Sequence, residues 1–208
     1  MALISVSNNA LSNISALPAS IPTGALTLIK SITASASASI SFVDGTDGVV
    51  LDGTYSSYIF KFINIHPANN NVYFRVNAST NGGSSYGVTS TTTFFRAFHD
   101  EGDTATSFAY FASADQAQST DAIFISTEVS NVSDNSVSGE LTLFNPSSTT
   151  YVKHFISRNN SIFNNNYTMD DFSAGYFNTT SAINAVQFTF ITGNIDDGII
   201  KMYGVKKS

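Results

Sequence analysis

Apolar and hydroxyl side chains alternate one by one along residues 34–42, which read Ala-Ser-Ala-Ser-Ala-Ser-Ile-Ser-Phe. Successive side chains of a β-strand point to opposite faces, so a two-residue period is typical of a strand that buries one face. Related patterns recur from residue 25 to residue 205, separated by clusters of Gly, Pro, Asn, Asp or Ser. Between the predicted strands no stretch long enough for a helix has a helical period, which argues against βαβ units. The pattern predicts about eleven or twelve strands.

Short strands at even spacing favour two packed antiparallel sheets. We predict an all-β fold, an antiparallel two-sheet sandwich of the jelly-roll type, formed by residues 25–208 as a single domain. A chain of 208 residues lies in the range where one such domain is routine. The composition agrees, because Glu and Gln are too scarce for a helical bundle. Cysteine is absent, which excludes disulfide scaffolds and thiolate zinc sites.

The formal net charge of −6 argues against binding to nucleic acid, because a phosphate backbone requires a basic stripe. The one cluster of basic residues, Lys201, Lys206 and Lys207, is near the C-terminus, where a solvated tail is expected. The first residues lack the basic and apolar regions of a signal peptide, and no stretch approaches the roughly 20 apolar residues of a membrane helix. We therefore expect a protein made in a cytoplasm that does not contact membranes.

Residues 1–24 differ from the rest of the chain. Their apolar residues are spaced about three or four apart, and Pro18 and Pro22 break any helix in this segment. The segment is interpreted either as a short amphipathic element or as an extended N-terminal arm that packs on a neighbour. In both cases the candidate partner contacts are Leu11, Ile14, Leu17 and Ile21.

The residues that could support catalysis or metal binding form no recognised motif. The three histidines, His66, His99 and His154, share no metal-ligand spacing. The acidic clusters, including Asp170 and Asp171, are predicted to lie in turns, where Asp is favoured for backbone hydrogen bonding. The sequence thus predicts no catalytic residue, no cofactor and no metal ligand. A calcium site, a catalytic carboxylate pair, and a zinc site assembled from the histidines are the alternatives.

Most aromatic residues, Phe108 and Tyr110 among them, fall on predicted strands and are expected to pack in the core. Phe163 and Tyr167 are different, because they bracket the polar run Asn-Asn-Asn at 164–166 in a predicted loop. A ring beside amide groups can stack on a sugar or contact another subunit. Phe163 and Tyr167 are therefore the candidate glycan or partner contacts of this region.

Six segments share a pattern of strand ends and turns: residues 33–42, 58–67, 72–86, 143–147, 174–178 and 198–205. They include Ser-Thr-Asn-Gly-Gly-Ser-Ser-Tyr at 79–86 and Gly-Ile-Ile-Lys-Met-Tyr-Gly-Val at 198–205. Together they resemble the jelly-roll or β-sandwich virion structural proteins of tailed bacteriophages, those of marine phages in particular. The resemblance covers roughly residues 25–205, nearly the whole chain. It implies a non-enzymatic, multimeric coat, decoration or tail component, and it carries over no functional residue.

On this basis we expect a virion protein, made in the host cytoplasm, whose partners are other virion proteins and further copies of the same chain. The leading hypothesis is capsid decoration or cement on the particle surface, with residues 1–24 as the attachment arm. The second hypothesis is a tail-fibre or receptor-binding module that recognises a host surface glycan. A glycan hydrolase with a pair of Asp residues is the third. The sequence does not distinguish head from tail.

Overall fold

The computed structural model describes residues 25–163 and 166–207. The candidate contacts Leu11, Ile14, Leu17 and Ile21 lie outside the described residues. The described residues form thirteen strands. These are β1 (Leu26–Thr33), β2 (Ile40–Val43), β3 (Tyr55–Pro67), β4 (Val72–Ser79), β5 (Ser90–Asp100), β6 (Thr106–Tyr110), β7 (Gln116–Ser119), β8 (Ile123–Val129), β9 (Val137–Phe144), β10 (Lys153–Phe163), β11 (Tyr167–Phe177), β12 (Ala185–Phe190) and β13 (Ile195–Lys206).

All the strand pairs are antiparallel, which confirms the prediction of an all-β antiparallel fold. One path of neighbours runs β1-β13-β3-β9-β10 and continues through β11 to β5, whose far side pairs with β6 and β7. A second path runs β8-β4-β12-β2. The two paths join where Phe163 of β10 pairs with Val129 of β8, and again through an isolated bridge between Ser37 and Ile195. The sheet thus nearly closes on itself.

The core contains rings from both paths. Phe60 and Phe62 of β3 are fully or almost fully buried and contact Phe188 of β12 with ring centroids 5.2 Å and 5.1 Å away. Phe42 of β2 and Phe74 of β4 extend the same cluster in edge-to-face contacts. Each such pair contributes about 0.5–1.5 kcal/mol beyond the burial of its area. Packing of the two paths against each other therefore stabilises the fold.

The segment with the clearest alternation is not a strand over its whole length. Within 34–42 only the last residues, from Ile40, belong to β2, and the prediction of a continuous strand is wrong. Ala36 has a φ of +47°, which interrupts an extended strand, and its N–H donates to Asp196 O at 3.0 Å. Alternating Ala and Ser lack the β-branched and aromatic groups that hold a strand by packing, so contacts with β13 determine the local conformation.

The two ends of the described chain meet. β1 pairs with β13 along its whole length, and the N–H of Lys206 donates to Ala25 O at 3.0 Å. No helix in residues 25–163 and 166–207 has the length and apolar character needed to span a membrane.

Candidate functional site

A cleft of about 320 Å³ lies where β5, β8, β10 and β11 converge. Its lining combines aromatic and aliphatic side chains with one ion pair, and consists of Arg96, Phe98, Ala105, Glu128, Phe163, Tyr167 and Met169. Apolar walls with a few polar groups are typical of sites for small ligands. We call this feature the hairpin cleft, because the β10–β11 hairpin supplies three of its residues.

Phe163 and Tyr167 lie together in the hairpin cleft. They are cross-strand neighbours at the end of the hairpin, with ring centroids 5.9 Å apart, and Tyr167 also contacts Phe98 at 5.6 Å. The sequence pattern placed both in a loop, whereas the structure places Phe163 in β10 and Tyr167 in β11. The strands therefore hold both rings more firmly than a loop would.

A β-bulge in β8 positions the acidic side of the hairpin cleft. The register with β4 pairs Phe74 with Ser126 and Val72 with Val129, so β8 contains one extra residue between these two pairs, and a second irregularity follows between Phe74 and Arg75. The bulge contains Glu128, whose φ of +54° lies in the left-handed region. Bulges redirect side chains, and here the side chains of two consecutive residues lie on the same side of β8. Glu128 Oε2 and Thr127 Oγ1 both accept from Arg96 of β5, and Thr127 Oγ1 also donates to Asp171 of β11. β8 contains no glycine or proline, so its sequence gives no signal of this bulge.

Arg96 forms the opposite side of the ion pair. Its Nη1 donates to Glu128 Oε2 at 2.6 Å and to Thr127 Oγ1 at 3.2 Å. Its guanidinium also lies 3.8 Å from the ring centre of Phe111. The side chains of Arg96 and Glu128 are 17% and 21% exposed, so both charges are mostly withdrawn from water yet still reach the cleft. An ion pair held in this way carries no net charge, which suits a neutral ligand better than an ionic one.

Asp171 lies behind the ion pair and is completely buried. It is the cross-strand neighbour of Arg96 on β11, and its Oδ2 accepts the backbone N–H of Thr127 at 2.7 Å and the hydroxyl of Ser126 at 3.1 Å. Burial raises the pKa of Asp171 to about 7, while these hydrogen bonds and the charge of Arg96 act in the opposite direction. The predicted turn at Asp170 and Asp171 is wrong, since both belong to β11.

The sheet face that points away from the core carries a row of aromatic side chains. Phe108 of β6 contacts Phe95 of β5 with a centroid distance of 5.5 Å, and Phe95 stacks on Phe172 of β11 at 4.7 Å. The guanidinium of Arg158 lies 4.8 Å from the Phe172 ring centre. The expectation that Phe108 and Tyr110 pack in the core is wrong, because they are 72% and 55% exposed. We call this the outer face.

The same outer face contains a groove of about 470 Å³ across β9, β10, β11 and β5. Ala174 and Gly175 are among the residues that line it, together with larger side chains such as Phe144, Ile156 and Tyr176. Ile156 is 57% exposed and Phe144 is 39% exposed. Large apolar side chains grouped on an accessible sheet face are typical of an interaction surface.

The structure does not bring the three histidines together. His66 Nδ1 lies 2.7 Å from Asn135 O, His99 is paired with Asp103, and the ring of His154 contacts Tyr176. Across residues 25–163 and 166–207 no group of three or more His, Cys, Asp or Glu residues is arranged to hold a metal ion.

Comparison of the chain with protein-family models, with curated proteins and with solved structures gives no match.

Proposed function

We propose that this chain is a non-enzymatic structural protein of a tailed-bacteriophage virion, which decorates or cements the capsid surface as a multimer. The observation that carries the proposal is the outer face, where Ile156, Phe108 and Phe144 expose apolar surface on a broad antiparallel sheet. Such a surface is stabilised when another protein covers it. The resemblance of six segments to phage virion proteins favours another virion protein as the partner of this surface.

The proposal includes a jelly-roll sandwich. In that fold the first, eighth, third and sixth strands lie side by side in one sheet, and the second, seventh, fourth and fifth lie in the other. The order β2-β12-β4-β8 fits the first sheet. The order β3-β9-β5-β6 fits the second if the β10–β11 hairpin is inserted beside β9, as the pairing allows. This strand order supports the assignment, with β1 and β13 as additions at one edge.

Purified particles of the phage that encodes the chain test the assembly role. Cryo-electron microscopy should first locate the protein on these particles. Ile156→Asp places a charge in the outer groove and should reduce particle binding at least about 10-fold. Val132→Asp is the matched control, because Val132 is 52% exposed in the turn between β8 and β9. Absence of the protein from particles, or equal binding by both variants, would overturn the proposal.

The hairpin cleft favours a second candidate function, recognition of a host surface glycan by a tail-fibre or receptor-binding module. Phe98 and Tyr167 offer apolar ring surfaces for a sugar, while Glu128 and Arg96 offer an acceptor and donors for its hydroxyl groups. A glycan array should then give saturable binding that Tyr167→Ala or Phe163→Ala abolishes. Tyr151→Ala is the control, because this exposed ring is not part of the cleft. An array without hits, together with no binding to host cells, removes this candidate.

A further inference from the structure

Strand β6 is exposed on both faces. Every residue from Thr106 to Tyr110 is exposed, and its only strand partner in the described ranges is β5. A strand with one neighbour and two solvated faces gains little stabilisation from its own domain. This feature sets β6 apart from the buried strands of the sheet and raises the question of what covers it.

The backbone groups that β6 leaves unpaired follow from its pairing with β5. Asp100 N donates to Ala105 O at 3.1 Å, and Phe111 N donates to Phe94 O at 2.9 Å. Hydrogen-bonded pairs alternate along an antiparallel ladder, so the N–H and C=O of Ser107 and Ala109 also point towards β5. Those of Thr106, Phe108 and Tyr110 therefore point outward, away from the sheet.

Other strands with a free edge carry features that discourage pairing. β1 has a register irregularity between Leu28 and Lys30, and β2 and β7 have only four residues each. Gln118 within β7 also has a φ of +51°. Bulges, charged side chains and short length are the usual means of protecting an edge. β6 reads Thr-Ser-Phe-Ala-Tyr and has no charged residue and no proline.

We propose that β6 pairs with β6 of a second copy of this chain, antiparallel and about a two-fold axis at Phe108. In this register Phe108 faces Phe108 of the second copy, and Thr106 faces Tyr110. Every outward N–H and C=O of these three residues then has a partner, because the set is symmetric about Phe108. A second copy therefore leaves no outward backbone group of β6 unpaired. This inference does not depend on whether the chain belongs to a virion.

The side chains fit the same arrangement. The aromatic row that runs from Phe172 through Phe95 to Phe108 would meet its equivalent at the axis, which covers the most exposed ring of the outer face. On the other face of β6 the small Ser107 would lie opposite Ala109. The ion pair closest to β6 is that of His99, the cross-strand neighbour of Thr106, with Asp103 at 3.1 Å, and both partners belong to the same copy.

Charge also limits the possible partners of this edge. The chain has a net charge of −6, so two copies repel each other unless they meet through a neutral surface. Three of the carboxylates that flank β6 have partners within their own copy, while Glu101 is exposed. Asp100 accepts the Thr104 N–H at 2.8 Å, Asp103 lies 3.1 Å from His99 Nε2, and Asp115 accepts the Tyr110 hydroxyl. A second copy therefore meets a strand with no charged side chain, and the association should strengthen as salt screens the remaining repulsion.

The full chain tests the proposal in analytical ultracentrifugation between about 1 and about 100 µM. The wild type should form dimers, and Phe108→Lys or Phe108→Glu should each weaken dimerisation at least about 100-fold by placing like charges across the axis. An equal mixture of the two variants should dimerise again. Tyr151→Lys is the control for adding a charge at an exposed aromatic position and should leave the dimer intact.

Disulfide trapping tests the register, since the chain has no cysteine of its own. Ser107 and Ala109 of opposite copies would form a non-hydrogen-bonded pair with Cα atoms about 4.5 Å apart. A mixture of Ser107→Cys and Ala109→Cys should cross-link on oxidation much more than either variant alone. Amide hydrogen exchange should be slowed at Thr106, Phe108 and Tyr110 in the wild type and should be fast in Phe108→Lys.

Three results would overturn the proposal. The first is a wild type that remains monomeric at about 100 µM. Slow exchange of the β6 amides in such a monomer would mean that another part of the same chain covers the edge, and it would overturn the proposal as well. The second is an oligomer that Phe108→Lys leaves unchanged. The third is cross-linking no better in the mixture than in the single variants.

Discussion

Asp171 connects the sheet face of β10 and β11 to the bulge of β8. Its carboxyl group accepts the Thr127 N–H and the Ser126 hydroxyl in a site with no solvent exposure. The bulge in turn holds Glu128 against Arg96. One buried side chain therefore positions the polar wall of the hairpin cleft, although it does not itself line that cleft.

Asp171→Ala should destabilise the protein by about 2–4 kcal/mol, because it leaves the buried donors of Ser126 and Thr127 without an acceptor. Asp170→Ala is the matched control: this neighbour forms an exposed ion pair with Arg158, and its loss should cost at most about 1 kcal/mol. Urea unfolding at about pH 6 measures both effects. Equal losses in the two variants would contradict the role assigned to Asp171.

The pKa of Asp171 also predicts how stability depends on pH. The group titrates near 3.8 when unfolded and at about 7 when folded. Between these values the native state holds a proton that the unfolded chain has released, so stability falls as pH rises through this window. Relative to Asp171→Asn, the wild type should lose up to about 4 kcal/mol between about pH 4 and about pH 8. If the free energy of unfolding changes with pH by the same amount in both proteins over this range, the prediction is wrong.

At the scale of elements, the sequence predicted strands where one face is apolar and missed them where both faces are polar. In β10 the inward residues Ser157, Asn159 and Ser161 are buried, yet they have the same polarity as the outward Arg158 and Asn160. No contrast between the faces marks this strand beyond residue 157. The β10–β11 hairpin and the cleft at its end depend on buried polar contacts, which a hydropathy pattern does not record.

The error over residues 34–42 has the opposite cause. Its alternation is regular, but Ala and Ser fit a turn as readily as a strand, and Ala36 adopts a positive φ. By contrast, β3 reads Tyr-Ile-Phe-Lys-Phe-Ile over residues 58–63, and the rings on one of its faces, Tyr58, Phe60 and Phe62, pack into the core. Period and side-chain size together, rather than period alone, predicted the strands correctly.

The pairing of β9 with β10 depends on the absence of a side chain at Gly139. A Cβ atom there would overlap Asn159 Oδ1 and the backbone carbonyl of Arg158. Gly139→Ala should therefore destabilise the protein by about 2–3 kcal/mol, since backbone atoms cannot move aside freely. Gly53→Ala is the control, because the nearest atom to its Cβ would be Ser147 Oγ at 3.6 Å. Thermal unfolding that is equally affected in both variants would contradict this explanation.

For the whole molecule, the arm hypothesis predicts a separation between folding and attachment. Deletion of residues 1–22 should abolish binding to particles, because it removes Leu11, Ile14, Leu17 and Ile21. The β-strands of residues 25–207 pair among themselves, so the melting temperature should change by no more than a few degrees. Particle co-sedimentation and calorimetry measure the two properties. Undiminished particle binding by the shortened chain would refute the arm hypothesis.

The contact between Ala25 and Lys206 has a consequence for protein engineering. A short glycine-rich linker can join these neighbouring positions, and new termini can then be opened in an exposed turn such as the one between β8 and β9. The circularly permuted chain would keep every strand pair of the original. A peptide inserted at that turn would be displayed at a site chosen by the experimenter, with the rest of the sheet unchanged.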